Sequence, residues 1–231
     1  MSLSPEVRAV AFDLDDTFWD CAPAIERAES VLNDWLRREA PEVLARHEAV
    51  PMLERRKAAL DAEPALAGDV SALRKRMLAE LFREANHDHA LSEEAYRVFY
   101  QARSDVVLYA GVLDLLDALR PQYKVAAITN GNADLAQIGI ADRFDIILRA
   151  TLEVPAKPDV AMFRLALDHF GLAPDSMVHV GDSPTTDVAG AQAAGVPAVW
   201  FNQSAQAWSG PAPAPDYTVH SIAQLRTLLL D

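Results

Sequence analysis

The spacing of apolar and polar residues divides the chain into three stretches. Residues 10–12 are apolar and β-forming and run directly into the acidic stretch 13–16. This pattern predicts a buried strand that ends in carboxylates. Between residues 18 and 107 strand signals are nearly absent, and apolar residues recur at helical spacing. From residue 108 onward short apolar runs alternate with helical patterns, which is typical of an α/β arrangement.

Three stripes of apolar residues carry the prediction for the middle stretch. They are formed by Ile25, Ala28, Leu32 and Trp35, by Leu73, Met77 and Leu81, and by Tyr96, Phe99 and Tyr100. The first stripe belongs to a predicted helix over 22–40, which Pro41 closes because proline cannot continue a helix. The stretch 18–107 is therefore predicted to be a helical insertion.

The remaining stretches form the predicted core, which comprises residues 1–17 and 108–231. Further strands are predicted at 125–129, 145–149, 177–182, 198–201 and 217–220, and helices at 112–119, 158–170, 188–194 and 222–230. Parallel neighbours in a sheet need a crossover connection, and the usual one is a right-handed helix. The fold class is therefore α/β, with a doubly wound, Rossmann-like parallel sheet and an inserted α-helical domain.

Composition and charge exclude several classes of partner. The chain has 231 residues and a formal net charge of -13, which argues against nucleic acid and anionic membranes as partners. No apolar run approaches the roughly 20 residues that span a bilayer, and the first residues do not resemble a signal peptide. The single cysteine, Cys21, cannot form an internal disulfide, so we expect a cytoplasmic protein. Monomer and homodimer both remain open.

The acidic stretch after the first strand is the strongest chemical signal. Asp13, Asp15 and Asp16 lie within four positions, and burying like charges so close together is costly unless a cation compensates them. An Asp-rich turn in which Asp16 or Thr17 caps a helix is the alternative. Oxygen ligands with water remaining fit Mg²⁺ best, so Mg²⁺ is the predicted cofactor.

Residues at other strand ends are candidates for the same site, because ligands bind at the carboxyl ends of parallel strands. Asp13, Thr129 and Asp182 each end a predicted strand, so we expect them to meet at one crevice. Transfer of a phosphoryl group to a carboxylate needs a nucleophile, an acid, donors for the phosphoryl oxygens and a metal. Asp13 is the candidate nucleophile and metal ligand, and Asp15 the candidate acid and base.

The remaining roles fall on residues later in the chain. The Thr129 hydroxyl can donate to phosphate, and Asn130 begins a tight turn that offers backbone N–H groups. Lys157 can bring a positive charge to the phosphate. Asp182 adds a second metal carboxylate, and Asp187 can hold a metal-bound water. Capping of the helix over 188–194 is the alternative role for Asp187.

Together these residues resemble a known family, the haloacid dehalogenase-like hydrolases. The resemblance rests on four ordered motifs, Asp13-Leu-Asp-Asp-Thr17, Thr129-Asn130-Gly131, Lys157-Pro158 and Gly181-Asp-Ser-Pro-Thr-Thr-Asp187. It implies that the helical insertion is a cap that closes over the site and sets substrate choice. It also implies a phosphorylated Asp13, an acid/base Asp15 whose backbone carbonyl binds metal, and a phosphate site at Thr129, Asn130 and Lys157. Asp182 and Asp187 would complete the metal site.

Within this family the core segments 127–133, 143–144 and 147–150 look most similar to bacterial flavin mononucleotide and ribitylaminouracil phosphatases. The predicted function is accordingly a Mg²⁺-dependent phosphatase, a phosphoric monoester hydrolase acting on a small phosphorylated metabolite. A 2-haloacid dehalogenase, a phosphomutase and a phosphonatase are alternatives, the last with Lys57 or Lys75 as its Schiff base. A non-catalytic metabolite-binding protein on the same fold is the alternative from another class.

Several other residues are assigned structural roles. His87 and His89 are expected to be solvated, His179 to be neutral and hydrogen-bonded in the sheet, and Trp19 to pack at the joint between core and cap. The thiol of Cys21 is expected to be neutral and at least half-buried. The basic runs 55–57 and 74–76 are expected to be solvated helix faces paired with acids. Contact of a few of these side chains with an anionic substrate is the alternative.

Overall fold

The computed structural model describes residues 3–231, so positions 1 and 2 of the predicted core segment lie outside the described residues. Six parallel strands form one sheet in the order β3-β2-β1-β4-β5-β6. The strands are β1 (Ala9–Phe12), β2 (Lys124–Thr129), β3 (Ile146–Arg149), β4 (Met177–Gly181), β5 (Ala198–Phe201) and β6 (Tyr217–Val219). The predicted doubly wound α/β fold is confirmed.

Strand β1 occupies the centre of the sheet, with β2 on one side and β4 on the other. All of its residues are buried, as expected for a strand with helices on both faces. Because the chain changes direction across the sheet at β1, a crevice opens beyond the carboxyl ends of these central strands. The acidic residues after β1 emerge at this crevice.

Helices cover both faces of the sheet. They are α6 (Val112–Leu119), α7 (Leu135–Ile138), α8 (Ala161–Phe170), α9 (Ala189–Ala193) and α10 (Ile222–Leu230). Val10 and Phe12 face the cluster that contains α6 and α10, whereas Ala9 and Ala11 face the cluster that contains α8. This division follows from the period of two residues along a strand. The small alanines allow α8 to approach the sheet closely.

The long insertion after β1 is helical. It contains α1 (Cys21–Glu39), α2 (Pro41–Ala49), α3 (Met52–Ala62), α4 (Val70–Glu84) and α5 (Ala90–Arg103). Two apolar clusters, distinct from those of the sheet, hold these helices together. Members of all three predicted stripes are buried in them. The exact boundaries of the cap, at residues 18 and 107, stay a prediction. Among residues 3–231 we find no helix with the length and apolar character needed to cross a bilayer.

Two helix starts differ from the prediction. Helix α8 begins at Ala161 and not at Pro158, because the Asp159 carboxylate accepts the Ala161 N–H and forms the first turn itself. Helix α9 begins at Ala189, after a wide helical turn (Pro184–Val188) that sequence periodicity did not reveal. Local hydrogen bonds decide these starts, and apolar spacing does not record them.

Helix α6 offers a matched test of the core. Leu116 is fully buried in the cluster beneath β1, whereas Leu113 on the same helix is 41% exposed. We expect Leu116→Ala to lower the free energy of unfolding by about 2–5 kcal/mol because it leaves a cavity. Leu113→Ala should change it by less than about 1 kcal/mol. Urea unfolding of both variants measures the difference, and equal losses would contradict this packing.

Candidate active site

The strand ends bring three aspartates together. Asp13 follows β1, and Asp182 follows β4. The N–H of Asp13 donates to the carbonyl of Val180 at 2.9 Å, so strand pairing continues up to the carboxylate. One carboxylate oxygen from each of Asp13, Asp182 and Asp187 lies within 4.8 Å of the others. Residues that are far apart in sequence therefore form one acidic cluster at the carboxyl edge of the sheet.

A buried lysine joins two of these carboxylates. Lys157 Nζ lies 2.7 Å from Asp13 Oδ1 and 2.6 Å from Asp187 Oδ1, and Lys157 is only 3% exposed. Its backbone is held by the side chain of Asn130, which accepts the Lys157 N–H at 2.8 Å and donates to the Lys157 carbonyl at 2.9 Å. Burial disfavours the ammonium, but the two carboxylates outweigh this effect and raise the pKa of Lys157. The lysine is therefore charged.

The two carboxylates that share this lysine differ in their proton affinity. Burial raises the pKa of Asp13 well above its usual range against the pull of Lys157, and Asp187 raises it further. Burial also acts on Asp187, but there Lys157 and His179 overcome it and hold the pKa below its usual range. Asp187 is therefore the more acidic of the two carboxylates and is ionised. A second cation beside Asp13 would lower its pKa.

The Asp187 carboxylate accepts three hydrogen bonds. Its Oδ1 accepts from Lys157 and from His179 Nε2 at 3.0 Å, and its Oδ2 accepts the Ser183 N–H at 3.0 Å. Burial lowers the pKa of His179, so the ring is neutral and Nε2 carries the proton. The alternative role of Asp187 as a helix cap is wrong, because the Ser183 hydroxyl caps this turn by accepting the Thr186 N–H.

Asp182 lies on the more open side of the cluster. Burial raises its pKa to about 7, and the carboxylates of Asp187 and Asp16 add to the effect. Trp200 Nε1 donates to the Asp182 carbonyl at 2.7 Å and fixes the backbone. Asp16 itself accepts the Cys21 N–H at 2.8 Å and so anchors the start of α1. Asp13, Asp182 and Asp187 are buried or half-buried, and one lysine does not balance three carboxylates. The resulting excess of negative charge suits a divalent cation.

The turn after β2 shapes the space beside the cluster. Thr129 Oγ1 accepts the Gly131 N–H at 2.9 Å and tightens the turn. A Cβ on Gly131 would lie 2.1 Å from Asp15 Oδ2, so only glycine fits against that carboxylate. Thr129 therefore shapes the turn that places Gly131 against Asp15, while the neighbouring Asn130 holds the backbone of Lys157.

Asp15 is held by two side chains that the motif does not contain. Trp19 Nε1 donates to Asp15 Oδ1 at 2.8 Å. Arg103 Nη2 lies 2.6 Å from both oxygens of Asp15, and Arg103 is 2% exposed. Trp19 was expected to pack at the joint between core and cap, with lining of the substrate pocket as the alternative, and Arg103 was not identified. A signal was present, because Arg103 follows Tyr96 and Phe99 by seven and four residues on an otherwise apolar helix face.

A cavity of about 340 Å³ lies between cap and core, with Asp15 and Gly131 at its core side. Its cap side is mainly apolar and includes Ile25, Met52, Val70, Leu73, Met77 and Phe99. Arg74 also lines it, with its guanidinium 3.9 Å from the centroid of the Phe99 ring and 2.7 Å from Glu29. The cavity thus offers an apolar wall together with the guanidinium of Arg74, whose charge is paired with Glu29.

The basic runs of the cap divide between two roles. Lys75 pairs with Glu93 at 3.0 Å on the surface, as expected for a solvated helix face. Arg56 and Arg74 instead line the cavity. Lys57 and Lys75, the two Schiff-base alternatives, are exposed and do not line it. The alternative of substrate contact is therefore open to Arg56 and Arg74 and not to these lysines.

The remaining candidates keep structural roles. Among residues 3–231 the three clustered aspartates are the one group of potential metal ligands, and neither His87 nor His89 belongs to it. Burial raises the pKa of Cys21 to about 12, and the Asp15 carboxylate adds to this, so its thiol is neutral. His179 is buried beside Phe163 and is hydrogen-bonded as predicted.

Comparison with known proteins identifies the family. A model of the haloacid dehalogenase-like hydrolases matches residues 7–195, and the chain belongs to this family. A 5-amino-6-(5-phospho-D-ribitylamino)uracil phosphatase of Escherichia coli is 30% identical, with 96% of each chain covered. A phosphoserine phosphatase of Thermus thermophilus is 33% identical over 70% of this chain and 67% of its own. A solved structure of a 2-haloacid dehalogenase from Pseudomonas syringae is 38% identical, with a TM-score of 0.88 and coverage of 96% and 97%.

These findings confirm the predicted enzyme class, a phosphoric monoester hydrolase. Phosphatases of this family typically use a metal ion, and the aspartate cluster is a site that could hold one. The residue types fit, because carboxylate oxygens at the open end of a sheet are suitable ligands for a hard divalent cation.

Binding of a divalent cation to the aspartate cluster is expected to depend on pH. A divalent cation should raise the midpoint of thermal unfolding because it binds only the native protein. Asp182, whose pKa is raised to about 7, must lose its proton to ligate. The rise should therefore be largest well above pH 7 and fade as the pH falls through that value. Thermal unfolding with and without Mg²⁺ measures it.

Two variants serve as controls for this measurement. Asp182→Asn should abolish the rise because it removes a ligand, whereas Asn at the exposed Asp175 should preserve it. A rise of equal size in Asp182→Asn, or one independent of pH, would show that the cation binds elsewhere.

Proposed function

We propose that this protein hydrolyses a small phosphorylated metabolite by Mg²⁺-dependent transfer of the phosphoryl group to Asp13. One observation carries the proposal: the site holds two carboxylates of different surroundings. Asp13 lies against Lys157, and Asp15 lines the core side of the cavity. A displacement that expels an alkoxide needs both a nucleophile and an acid. With a single cysteine and no disulfide, the cytoplasm is the compartment we propose.

In the first step a carboxylate oxygen of Asp13 attacks phosphorus. A bond forms between that oxygen and phosphorus, and the bond from phosphorus to the substrate oxygen breaks. Asp15 gives its proton to the leaving oxygen. Lys157 balances negative charge on the phosphoryl oxygens, and the Thr129 hydroxyl and the backbone of the following turn donate to them. The product of this step is an aspartyl phosphate on Asp13.

In the second step water replaces Asp13. Asp15, now a carboxylate, takes a proton from water as its oxygen bonds to phosphorus. The bond between phosphorus and the Asp13 oxygen then breaks, which releases phosphate and restores the nucleophile. One carboxylate can serve both steps because the proton that it gives away in the first is recovered in the second.

We assign the Mg²⁺ site to the carboxylates of Asp13 and Asp182, with the backbone carbonyl of Asp15 as a further ligand. At these ligands a Mg²⁺ ion would supply positive charge to offset the negative charges of Asp13 and the phosphate. Asp187 also belongs to this site. Its oxygens accept three protein hydrogen bonds, which supports a role in holding Lys157 and a metal-bound water more than direct ligation.

The cavity supports a substrate with an extended, partly apolar leaving group. Pockets for small ligands typically have volumes of about 300–1,000 Å³, and this one holds about 340 Å³ with an apolar wall. The Escherichia coli relative acts on a ribitylaminouracil phosphate by its name. We therefore propose a ribityl phosphate or flavin mononucleotide as the substrate, whose ring would lie against Phe99 and Arg74.

A 2-haloacid dehalogenase is the second candidate, because the Pseudomonas syringae neighbour carries that name. The two reactions share the nucleophile but differ in the rest of the site. A halide leaves without a proton and needs neither an acid nor a metal. The presence of Asp15, Asp182 and Asp187 around Asp13 favours phosphoryl transfer.

Phosphate release tests the function. With Mg²⁺ present, we expect release from flavin mononucleotide or a ribityl phosphate and no halide from 2-haloacids. Asp13→Asn should reduce turnover by at least about 10³-fold because the amide is a poor nucleophile. Asp114→Asn, at an exposed position of α6, controls for nonspecific effects and should retain full activity.

The possible outcomes separate the candidates. Halide release without phosphate release would replace phosphatase with dehalogenase. An active Asp13→Asn variant would remove Asp13 as the nucleophile. Release from sugar phosphates or phosphoglycolate in preference to flavin and ribityl phosphates would keep the reaction but overturn the substrate class.

A further inference from the structure

One ion pair connects the cap directly to the proposed acid/base. Arg103 is the last residue of α5, and Asp15 belongs to the loop after β1. The two are separated by 88 positions, yet Arg103 Nη2 contacts both carboxylate oxygens of Asp15 at 2.6 Å. Trp19, at the start of the inserted stretch, donates to the same carboxylate at 2.8 Å. Both segments that join cap and core therefore reach Asp15.

The pair is poorly explained by stability alone. The Arg103 side chain is 2% exposed and that of Asp15 is 19% exposed, so both charges have lost much of their hydration. Buried ion pairs gain little net stability because desolvation offsets their attraction. Arg103 Nη1 is also buried and has no hydrogen-bond partner among the described residues. Such an arrangement orients the carboxylate at a cost, which is typical of functional sites.

The end of α5 is itself fastened to the core. The hydroxyl of Ser104, the next residue, accepts the N–H of Asp134 at 2.9 Å. The N–H of Tyr109 donates to the carbonyl of Phe18 at 2.8 Å, so the two connecting segments also bond to each other. Arg103 is therefore held at a defined place over Asp15 when the cap is seated on the core.

We propose that Arg103 is a positioning residue that orients Asp15 for proton transfer to the leaving group. The inference rests on the proposed phosphatase function. An acid must reach the leaving oxygen within hydrogen-bond distance, so the direction of its carboxylate decides its efficiency. Arg103 and Trp19 fix that direction from two sides, while Gly131 leaves the room that the carboxylate occupies. The seated cap thus completes the acid/base in addition to enclosing the substrate.

The proposal predicts a dependence on the leaving group. An alkyl phosphate expels a basic alkoxide that needs a proton, whereas 4-nitrophenyl phosphate expels a stable anion that does not. The ratio kcat/KM covers the steps up to loss of the leaving group, so it isolates the acid from the later attack of water. We expect Arg103→Gln to lower kcat/KM by about 10²–10⁴-fold for the alkyl phosphate. For the aryl phosphate the loss should be about 10-fold or less.

Further variants make the test specific. Trp19→Phe keeps the ring but removes the other donor to Asp15, so it should show the same preference for the aryl phosphate. Arg27 donates a hydrogen bond to the Asp105 carbonyl at the same joint and does not contact Asp15. Arg27→Gln should therefore change kcat/KM by the same factor for both substrates. The double variant that combines Arg103→Gln with Asp15→Asn should favour the aryl phosphate no more strongly than Asp15→Asn alone. Guanidinium at millimolar concentration should partly restore Arg103→Ala with the alkyl phosphate.

The outcomes are distinguishable from failure of the phosphatase proposal. If the unmodified protein releases no phosphate from either substrate, the proposed function fails. The other case is that the unmodified protein releases phosphate while Arg103→Gln and Trp19→Phe lower kcat/KM for both substrates by the same factor. Arg103 then only supports the fold, and the positioning role is overturned. Should Arg103→Gln fail to fold, Arg103→Lys provides the same comparison, because an ammonium cannot align with both oxygens as the guanidinium does.

Discussion

The buried contact of Lys157 with Asp13 and Asp187 is the constraint on which the site depends. Its three members come from the end of β1, the loop before α8 and the turn after β4, so the sheet must be correctly assembled before the charges can meet. One ammonium against two buried carboxylates leaves negative charge unbalanced. Burial raises the pKa of both carboxylates; at Asp187 the combined effect of Lys157 and His179 overcomes it, whereas at Asp13 the pull of Lys157 does not.

Neighbouring residues are adapted to this contact. Asn130 fixes the backbone of Lys157 by two hydrogen bonds, which places its ammonium without any regular secondary structure. Gly181 allows the Asp187 carboxylate to approach, because a Cβ there would lie 2.2 Å from Asp187 Cγ. His179 stays neutral and donates to Asp187, so it adds a hydrogen bond without adding charge. Backbone room and neutral donors thus let the site keep its charges close together.

Core and cap divide the proposed chemistry between them. The core supplies the nucleophile, the lysine and the metal carboxylates, all at the carboxyl ends of the central strands. The cap supplies the apolar wall of the cavity and Arg103, which contacts Asp15. The proposed acid/base is the one group of the site that both parts hold. This arrangement connects seating of the cap with readiness for proton transfer.

The sequence by itself determined the parallel sheet and identified Asp13, Asp15, Thr129, Lys157 and Asp182 as candidates. It could do so because strand periodicity and strand-end polarity are local properties, and because parallel strands end at a common edge. Only the tertiary structure decided that Arg103 and Trp19 hold Asp15 and that Asp187 is not a helix cap. A helical stripe shows that a residue is buried but not what it contacts across another domain. Those contacts depend on how the cap helices dock against the sheet, and no local pattern records that.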